Sequence, residues 1–122
     1  LSLGERWALV CFDAMPYPAE RQELEEELAR SGREIIAFDL PQLHRFVGNA
    51  LELHPEPTPL SASTGERPVV FLSETAFHAL KPHQRMALER HTRLIPVAVP
   101  TIEAIGGGGV RCMLAENFLS RK

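Results

Sequence analysis

Short runs of apolar residues recur along the chain between longer polar stretches, and this pattern predicts buried strands joined by helices. The first run covers residues 7–12 and ends at Asp13. Runs of this length fit strands that are covered on both faces. The predicted strands are residues 7–12, 33–39, 50–53, 69–72, 94–99 and 110–114. Their alternation with helical stretches predicts an α/β fold.

The polar stretches carry signals for helix starts and stops. Pro18 suits the first position of a helix, and Gly32 suits the left-handed residue that follows it. Further helical segments are predicted at residues 41–46, 73–80, 82–90 and 101–105. Ser73 is predicted to cap the segment that it opens. Met86 and Leu88 are predicted to point inward from the segment at 82–90.

The two halves of the sequence resemble each other. A shift of 59 residues places Pro41 on Pro100 and Gly48 on Gly107, and apolar strand positions coincide as well. Both halves then follow one order: strand, helix, strand, helical turn, glycine hinge, strand. We therefore predict two pseudo-symmetric modules within one domain. Their approximate bounds are residues 5–54 and 69–119, with a proline-rich linker at 55–68.

Composition narrows the classes of function. The chain has 122 residues, a formal charge of −3 and no long apolar run, so neither a general nucleic-acid binder nor a membrane protein is expected. Two cysteines, Cys11 and Cys112, are too few for a disulfide framework, which favours the reducing cytoplasm. The sequence starts at Leu1 rather than at Met, and we expect it to begin partway through a longer protein.

One segment calls for a chemical explanation: the four glycines at 106–109, followed by Val110, Arg111 and Cys112. Four glycines in a row are entropically unfavourable unless the backbone must take positive φ or approach a ligand closely. Cys112 follows this bare backbone as a candidate nucleophile, and Arg111 adds positive charge beside it. The alternative is a small buried hydrophobe, which is the interpretation that fits Cys11.

No base for such a nucleophile is evident in the sequence. A cysteine nucleophile usually works with a histidine that a carboxylate orients. The chain has five histidines, His44, His54, His78, His83 and His91. None lies in a recognisable motif, and the last three are expected to face solvent. No pair has the spacing of metal ligands with a third donor, so no metal site is predicted.

The segment from Ile102 to Glu116, Ile-Glu-Ala-Ile-Gly-Gly-Gly-Gly-Val-Arg-Cys-Met-Leu-Ala-Glu, resembles the C-terminal nucleophile motif of the amidinotransferase (pentein) superfamily of guanidino-group-modifying enzymes. The match is closest to the branch of citrulline hydrolases. Phe46-Val47-Gly48-Asn49-Ala50-Leu51-Glu52-Leu53 is similar to a Phe-x-Gly-Asn-x-Leu-x-Leu segment of that branch. The resemblance covers nearly the whole chain.

The resemblance implies a five-module α/β propeller, of which this chain would form two modules as a partial propeller. It implies that Cys112 is the nucleophile of a hydrolase acting on the ureido or guanidino group of a small amino acid, citrulline or an arginine derivative. No cofactor is implied. The family's catalytic histidine and acidic residues would lie before Leu1, in an N-terminal segment of the same protein.

The resemblance also suggests which residues contact the substrate. The backbone of Gly107, Gly108 and Gly109 would hold the planar nitrogens, with Arg111 beside them. Asn49 would line the channel from the preceding module, although a left-handed hinge after Gly48 is the interpretation that we favour for it.

Two other functions remain open. The chain could be a catalytically incomplete structural or oligomerisation module of the same fold, which the lack of a histidine motif favours. It could also be a small βα module that binds an anion at the glycine loop. Because a partial propeller leaves strand edges and apolar surface uncovered, we expect self-association of the isolated chain.

Overall fold

The computed structural model describes residues 1–55 and 66–115, so most of the predicted linker and the end of the second predicted module lie outside the described residues. In this part of the chain, two three-stranded sheets with helices make up a mixed α/β fold, and no closed propeller is formed. None of the described helices is long and apolar enough to span a membrane.

The first sheet contains strands β1 (Ser2–Leu3), β2 (Trp7–Val10) and β3 (Glu34–Ala37), in that order. β1 runs antiparallel to β2, and β2 runs parallel to β3. A short 3-10 turn (Phe12–Ala14) and helix α1 (Pro18–Arg30) connect the parallel pair.

The second sheet repeats this arrangement. Strands β4 (Leu51–Leu53), β5 (Val69–Ser73) and β6 (Arg93–Val97) lie in that order, with the first pair antiparallel and the second parallel. Helices α3 (Glu74–Ala79) and α4 (Pro82–Glu89) connect β5 to β6. β3 and β6 start 59 residues apart, which matches the shift that aligns the two halves of the sequence.

The residues that were predicted to begin, cap or end helices do so in the structure. Pro18 begins α1, and Gly32 follows it with a φ of 72°. The Ser73 hydroxyl accepts a hydrogen bond from the Ala76 amide and so caps α3. Helix α2 (Leu40–Leu43) has a full capping box in which Asp39 and Gln42 satisfy each other's backbone amides.

One hydrophobic core serves both halves of the chain. The fully buried side chains of Trp7 and Leu9 in the first sheet and of Val70, Leu72 and Leu88 in the second half belong to one continuous cluster. A smaller cluster packs α1 against the other face of β2 through Ala8, Val10, Phe12 and Leu28. Because the larger cluster is shared, the two sheets are parts of one packed unit.

Two predictions about this fold are wrong. Residues 110–114 do not form a strand, since Val110–Met113 is a 3-10 turn in which the Cys112 amide donates to the Gly109 carbonyl. Met86 does not point inward: it is 62% exposed, because the buried face of α4 consists of Gln84, Ala87 and Leu88. Gln84 is inward, and Met86, two residues later, therefore falls on the opposite side of the helix.

Gln84 is buried because it pairs with Gln42, and the two side chains join the two halves of the chain. The Gln42 amide donates to Gln84 Oε1 at 2.7 Å, and the Gln84 amide donates back to Gln42 Oε1 at 3.2 Å. Each amide also donates to a backbone carbonyl, Gln42 to Ala79 and Gln84 to Ala37, both at 2.7 Å. Buried amides satisfied in this way fix the relative position of the segments that they join.

A second link between the halves lies at the edge of the core. Glu34 at the start of β3 is bonded to Arg90 and, at 2.8 Å, to His91 Nε2, both of which follow α4. Partial burial raises the pKa of Glu34, but the hydrogen bonds and charges of His91 and Arg90 outweigh it and hold this pKa below its ordinary value. The prediction that His91 faces solvent is therefore wrong, because its side chain is only 16% exposed.

The glutamine pair can be tested by substitution. Gln84→Leu should lower the free energy of unfolding by about 2–4 kcal/mol, because it leaves the Ala37 carbonyl and the Lys81 amide without their partner in a buried site. Urea unfolding measures this loss, and Gln22→Leu on the exposed face of α1 is the matched control, which should change little. A loss below 0.5 kcal/mol in Gln84→Leu would contradict the structural role of the pair.

The Glu34 link should make stability depend on pH. Because the pKa of Glu34 is lowered by folding, its ion pairs stabilise the protein fully above the unfolded value of about 4.5 and are lost as the pH falls through the folded value. Glu34→Gln should therefore lower the free energy of unfolding at pH 7 by up to about 1 kcal/mol, a size that solvent screening limits. Unfolding curves of both proteins from pH 7 to pH 3 should converge at the acid end, and a constant difference would refute this assignment.

Candidate active site

The Cys112 thiol lies at the edge of the second sheet where β5 and β6 end and β4 begins. Cys112 belongs to the 3-10 turn Val110–Met113, which packs against β5, and it is exposed. Cys11, in contrast, is buried in the shared core, as the sequence predicts. The exposed thiol is thus available to a reagent or substrate that approaches this edge.

The glycine loop before Cys112 is shaped by three of its four glycines. Gly107 has a φ of 64°, a conformation that other residues adopt at a cost in free energy. A Cβ atom on Gly108 would lie 3.0 Å from Cys112 Sγ, and one on Gly109 would lie 2.8 Å from Asn49 Oδ1. A Cβ atom on Gly106 would meet nothing closer than 3.8 Å. The loop therefore needs glycine at 107 for its positive φ, and at 108 and 109 because neighbouring side chains approach closely.

Asn49 bonds to the Cys112 turn from the other half of the chain. Its side-chain Nδ2 donates to Cys112 Sγ at 3.0 Å, and its Oδ1 accepts from the Arg111 backbone amide at 3.0 Å. Because a backbone amide can only donate, the bond to Arg111 fixes the orientation of the Asn49 amide, with Nδ2 towards the sulfur. One side chain thus holds the nucleophile candidate and its turn together.

The backbone on both sides of Asn49 is fixed as well. Phe46 has a φ of 61°, and its carbonyl accepts a hydrogen bond from the Asn49 amide at 2.8 Å. The buried Ser2 hydroxyl donates to the Gly48 carbonyl at 2.6 Å and accepts from the Ala50 amide at 3.3 Å. The interpretation of Asn49 as a left-handed hinge is wrong, because the positive φ falls on Phe46 instead.

The predicted site residues therefore meet at one place. Asn49 contacts Cys112 and Gly109, Gly108 lies next to Cys112, and Gly107 supplies a bend in the loop before the turn. Arg111 contributes its backbone amide to the contact with Asn49. These positions come from both halves of the sequence, and Asn49 and Cys112 are 63 residues apart.

Sequence reasoning missed two residues that support the site. Ser2, at the start of the chain, gave no signal, since a lone serine in a short edge strand has no distinctive pattern. Glu103 lies in the Thr101-Ile102-Glu103 segment, which resembles a Thr-Ile-Glu of the family, but its structural role was not predicted. Its Oε2 accepts from the Thr75 hydroxyl at 2.7 Å and so ties the π-helical turn Ile102–Gly106 to α3. Its Oε1 is buried and has no partner among residues 1–55 and 66–115.

The histidines do not complete the site. His54 Nε2 lies 3.2 Å from Glu52 Oε1, His91 is bonded to Glu34, and the His78 ring packs edge-on against Phe77. Within the described ranges, the hydrogen-bond partner of the Cys112 thiol is Asn49 and not a histidine. The same ranges contain no group of three His, Cys, Asp or Glu side chains that could hold a metal ion.

Two clefts open elsewhere on the described surface. One, of about 600 Å³, is lined by His54, Arg67 and Arg93 at the end of the second sheet where β5 and β6 begin, which is the end opposite Cys112. The other, of about 240 Å³, lies where β2 and β3 end and is lined by Asp39 and Lys81. Cys112 lines neither cleft, so the thiol lies on an open edge in this chain.

The structure thus contains an exposed cysteine on a glycine loop, at the edge of a repeated strand–helix–strand unit, as the resemblance to the guanidino-group-modifying enzymes of the pentein superfamily implies. A family model described as "N,N dimethylarginine dimethylhydrolase, eukaryotic" matches residues 1–119. The chain belongs to this family of guanidino-group hydrolases that act on arginine derivatives. No curated protein and no solved structure matches the chain.

The match confirms the superfamily that the residues at 102–116 and 46–53 indicate. It points to dimethylarginine hydrolases and does not single out the citrulline-hydrolase branch. Self-association, the missing N-terminal segment and the cytoplasmic location remain predictions.

The close approach at Gly109 can be tested directly. Gly109→Ala should displace the Asn49 side chain, because the new Cβ would lie 2.8 Å from its Oδ1. The side-chain amide resonances of Asn49 in an NMR spectrum should shift in this variant. In the control Gly106→Ala, whose Cβ has open space, they should stay in place. Equal spectra for both variants would show that the contact is absent in solution.

Proposed function

We propose that this chain is the nucleophile-bearing part of a cysteine hydrolase that acts on the guanidino or ureido group of a small amino acid. The observation that supports this most is the exposed Cys112 thiol, which is held by Asn49 beside a glycine loop. Membership in a family of dimethylarginine hydrolases supplies the reaction class. The glycine loop offers backbone groups beside the sulfur, where a planar guanidinium could lie.

The reaction follows from the chemistry of a thiolate and a guanidinium carbon. The Cys112 sulfur attacks this carbon and forms a C–S bond, and the C–N bond to the substituted nitrogen breaks as that nitrogen takes a proton and leaves as an amine. Water then attacks the resulting S-alkylthiouronium carbon, the C–S bond breaks, and the thiolate returns. The carbon is left as a ureido group, so an arginine derivative becomes citrulline.

These two steps need a group that gives and takes protons, and we propose that it comes from a part of the parent protein outside these 122 residues. The described positions of His54, His78 and His91 support this, since each has another partner. Carboxylates that pair with the guanidinium would come from the same missing segment. This chain would then contribute three parts of a larger site: the nucleophile, its glycine loop and its positioning side chain.

For the substrate we propose an N-methylated arginine first, because the matching family is described by dimethylarginine hydrolysis. Citrulline or another arginine derivative is the second choice, since the motif around Cys112 resembles the citrulline-hydrolase branch. In both cases the reacting carbon is planar and bears three heteroatoms, so one nucleophile and one glycine loop serve both substrates.

The proposed role of Cys112 can be tested by labelling with 2-chloroacetamidine, whose amidinium resembles the substrate group. Cys112 should be alkylated at least about tenfold faster in the folded chain than in the chain unfolded in urea, because only the folded chain holds the thiol beside the glycine loop, where the amidinium can lie. Peptide mass spectrometry after a timed reaction locates the adduct. Cys11 should remain unlabelled in the folded chain, since it is buried.

Two comparisons make this experiment decisive. Cys112→Ser should remove the fast phase, and Cys11→Ser should leave it unchanged. If Cys112 reacts at the same rate in the folded and unfolded chains, folding does not activate the thiol. That result would favour the alternative of a catalytically incomplete structural module.

A further inference from the structure

The geometry points to Asn49 as a positioning residue for the nucleophile, rather than as a group that contacts substrate. This inference rests on the proposed function of Cys112 and assigns Asn49 a different task from the substrate binding that the resemblance implies. In this role, the Asn49 amide holds the Cys112 turn in place and directs one N–H at the sulfur, so that the sulfur stays aimed at the open edge.

The two hydrogen bonds of Asn49 have separate consequences. The bond from the Arg111 amide to Oδ1 fixes the turn, because it replaces a backbone partner that the 3-10 turn leaves unsatisfied. The bond from Nδ2 to Sγ fixes the direction in which the sulfur faces, since a hydrogen bond weakens steeply when its partners turn out of line. A side chain that only filled space would make neither of these two hydrogen bonds.

Several neighbouring residues hold Asn49 in the position that this positioning role requires. Phe46 takes a positive φ, which is strained for an aromatic residue, and the Asn49 amide bonds to its carbonyl. Ser2 binds the backbone on either side of Asn49. Gly109 lacks the Cβ that would collide with Oδ1. With both polar ends of its amide engaged, Asn49 has one remaining N–H, so it is poorly placed as the main contact of a substrate.

Few charged side chains lie on the elements that surround the sulfur. β5, the strand packed against the turn, has the sequence Val-Val-Phe-Leu-Ser and carries no titratable side chain. Arg111 lies on the turn itself, and Glu103 on the preceding π-helical turn is hydrogen-bonded to Thr75. In the described residues, neither charged side chain is hydrogen-bonded to Sγ, so the neutral amide of Asn49 is the direct polar contact.

Two substitutions separate the two bonds, and both can be studied in the 122-residue chain. Asn49→Asp keeps an oxygen for the Arg111 amide but removes the N–H and adds a negative charge beside the sulfur. Asn49→Leu removes both bonds at similar size. The measurements are the hydrogen-exchange rate of the Arg111 amide and the rate of Cys112 alkylation by iodoacetamide at neutral pH, with Gln22→Leu as the control.

For Asn49→Asp, alkylation of Cys112 at neutral pH should be about tenfold slower, because a negative charge replaces the N–H at the sulfur. The Arg111 amide should stay protected in this variant. For Asn49→Leu, alkylation should slow as well, because the sulfur is no longer held at the open edge, and exchange at Arg111 should become at least about tenfold faster. Gln22→Leu should leave both measurements as they are in the unchanged protein.

An unchanged alkylation rate in both variants would overturn the inference, and so would unchanged exchange at Arg111 in Asn49→Leu. Failure of the proposed function would be seen differently. Cys112 of the unchanged protein would then react as it does in urea, whereas exchange at Arg111 would still respond to Asn49→Leu.

Discussion

The placement of the candidate site depends on the buried pair formed by Gln42 and Gln84. This pair joins α2 of the first half to α4 of the second, and each amide also binds backbone from the neighbourhood of the other. Asn49 follows α2 within a few residues, and its partner Cys112 follows β6 through the glycine loop. A shift of the halves by 1 Å would therefore break bonds of 3.0 Å between Asn49 and the Cys112 turn. Polar pairing in the core thus specifies the geometry at the edge, whereas apolar packing alone tolerates small displacements.

The site itself is built by close approach of main chain and side chain. Glycine at 108 and 109 lets the loop pass next to the sulfur and to the Asn49 amide, where any Cβ would collide. Such a loop loses more backbone entropy on folding than a loop of larger residues. The shared core and the hydrogen bonds of Asn49 offset this loss. Glycine at 108 and 109 is therefore a consequence of the side chains around these two positions, whereas Gly107 serves the positive φ of the bend.

Elements governed by local signals were predictable from the sequence. The start of α1 at Pro18, the cap at Ser73 and the burial of Cys11 follow from neighbouring residues, and the structure confirms them. Predictions failed where contacts distant in sequence decide the outcome. Val110–Met113 has the composition of a strand, but it forms a 3-10 turn that brings the Arg111 amide and the thiol to Asn49, 63 residues earlier than Cys112. Met86 was expected inside because it is apolar. It is exposed instead, because the buried face of α4 carries Gln84, which pairs with Gln42.

The internal repeat explains why the nucleophile and its positioning residue come from different halves. Gly48 and Gly107 are equivalent under the shift of 59 residues, so Asn49 corresponds to Gly108. After Gly48 the first half continues directly into β4, while the second half turns away into its 3-10 turn. Equivalent backbone positions thus carry an amide side chain in one half and bare backbone in the other. Gly109, the next residue, leaves space for the Asn49 amide, while Gly108 leaves space for the Cys112 side chain. The contact between the nucleophile and its positioning residue therefore forms only between the two halves, because one half carries the asparagine and the other carries the glycines and the thiol.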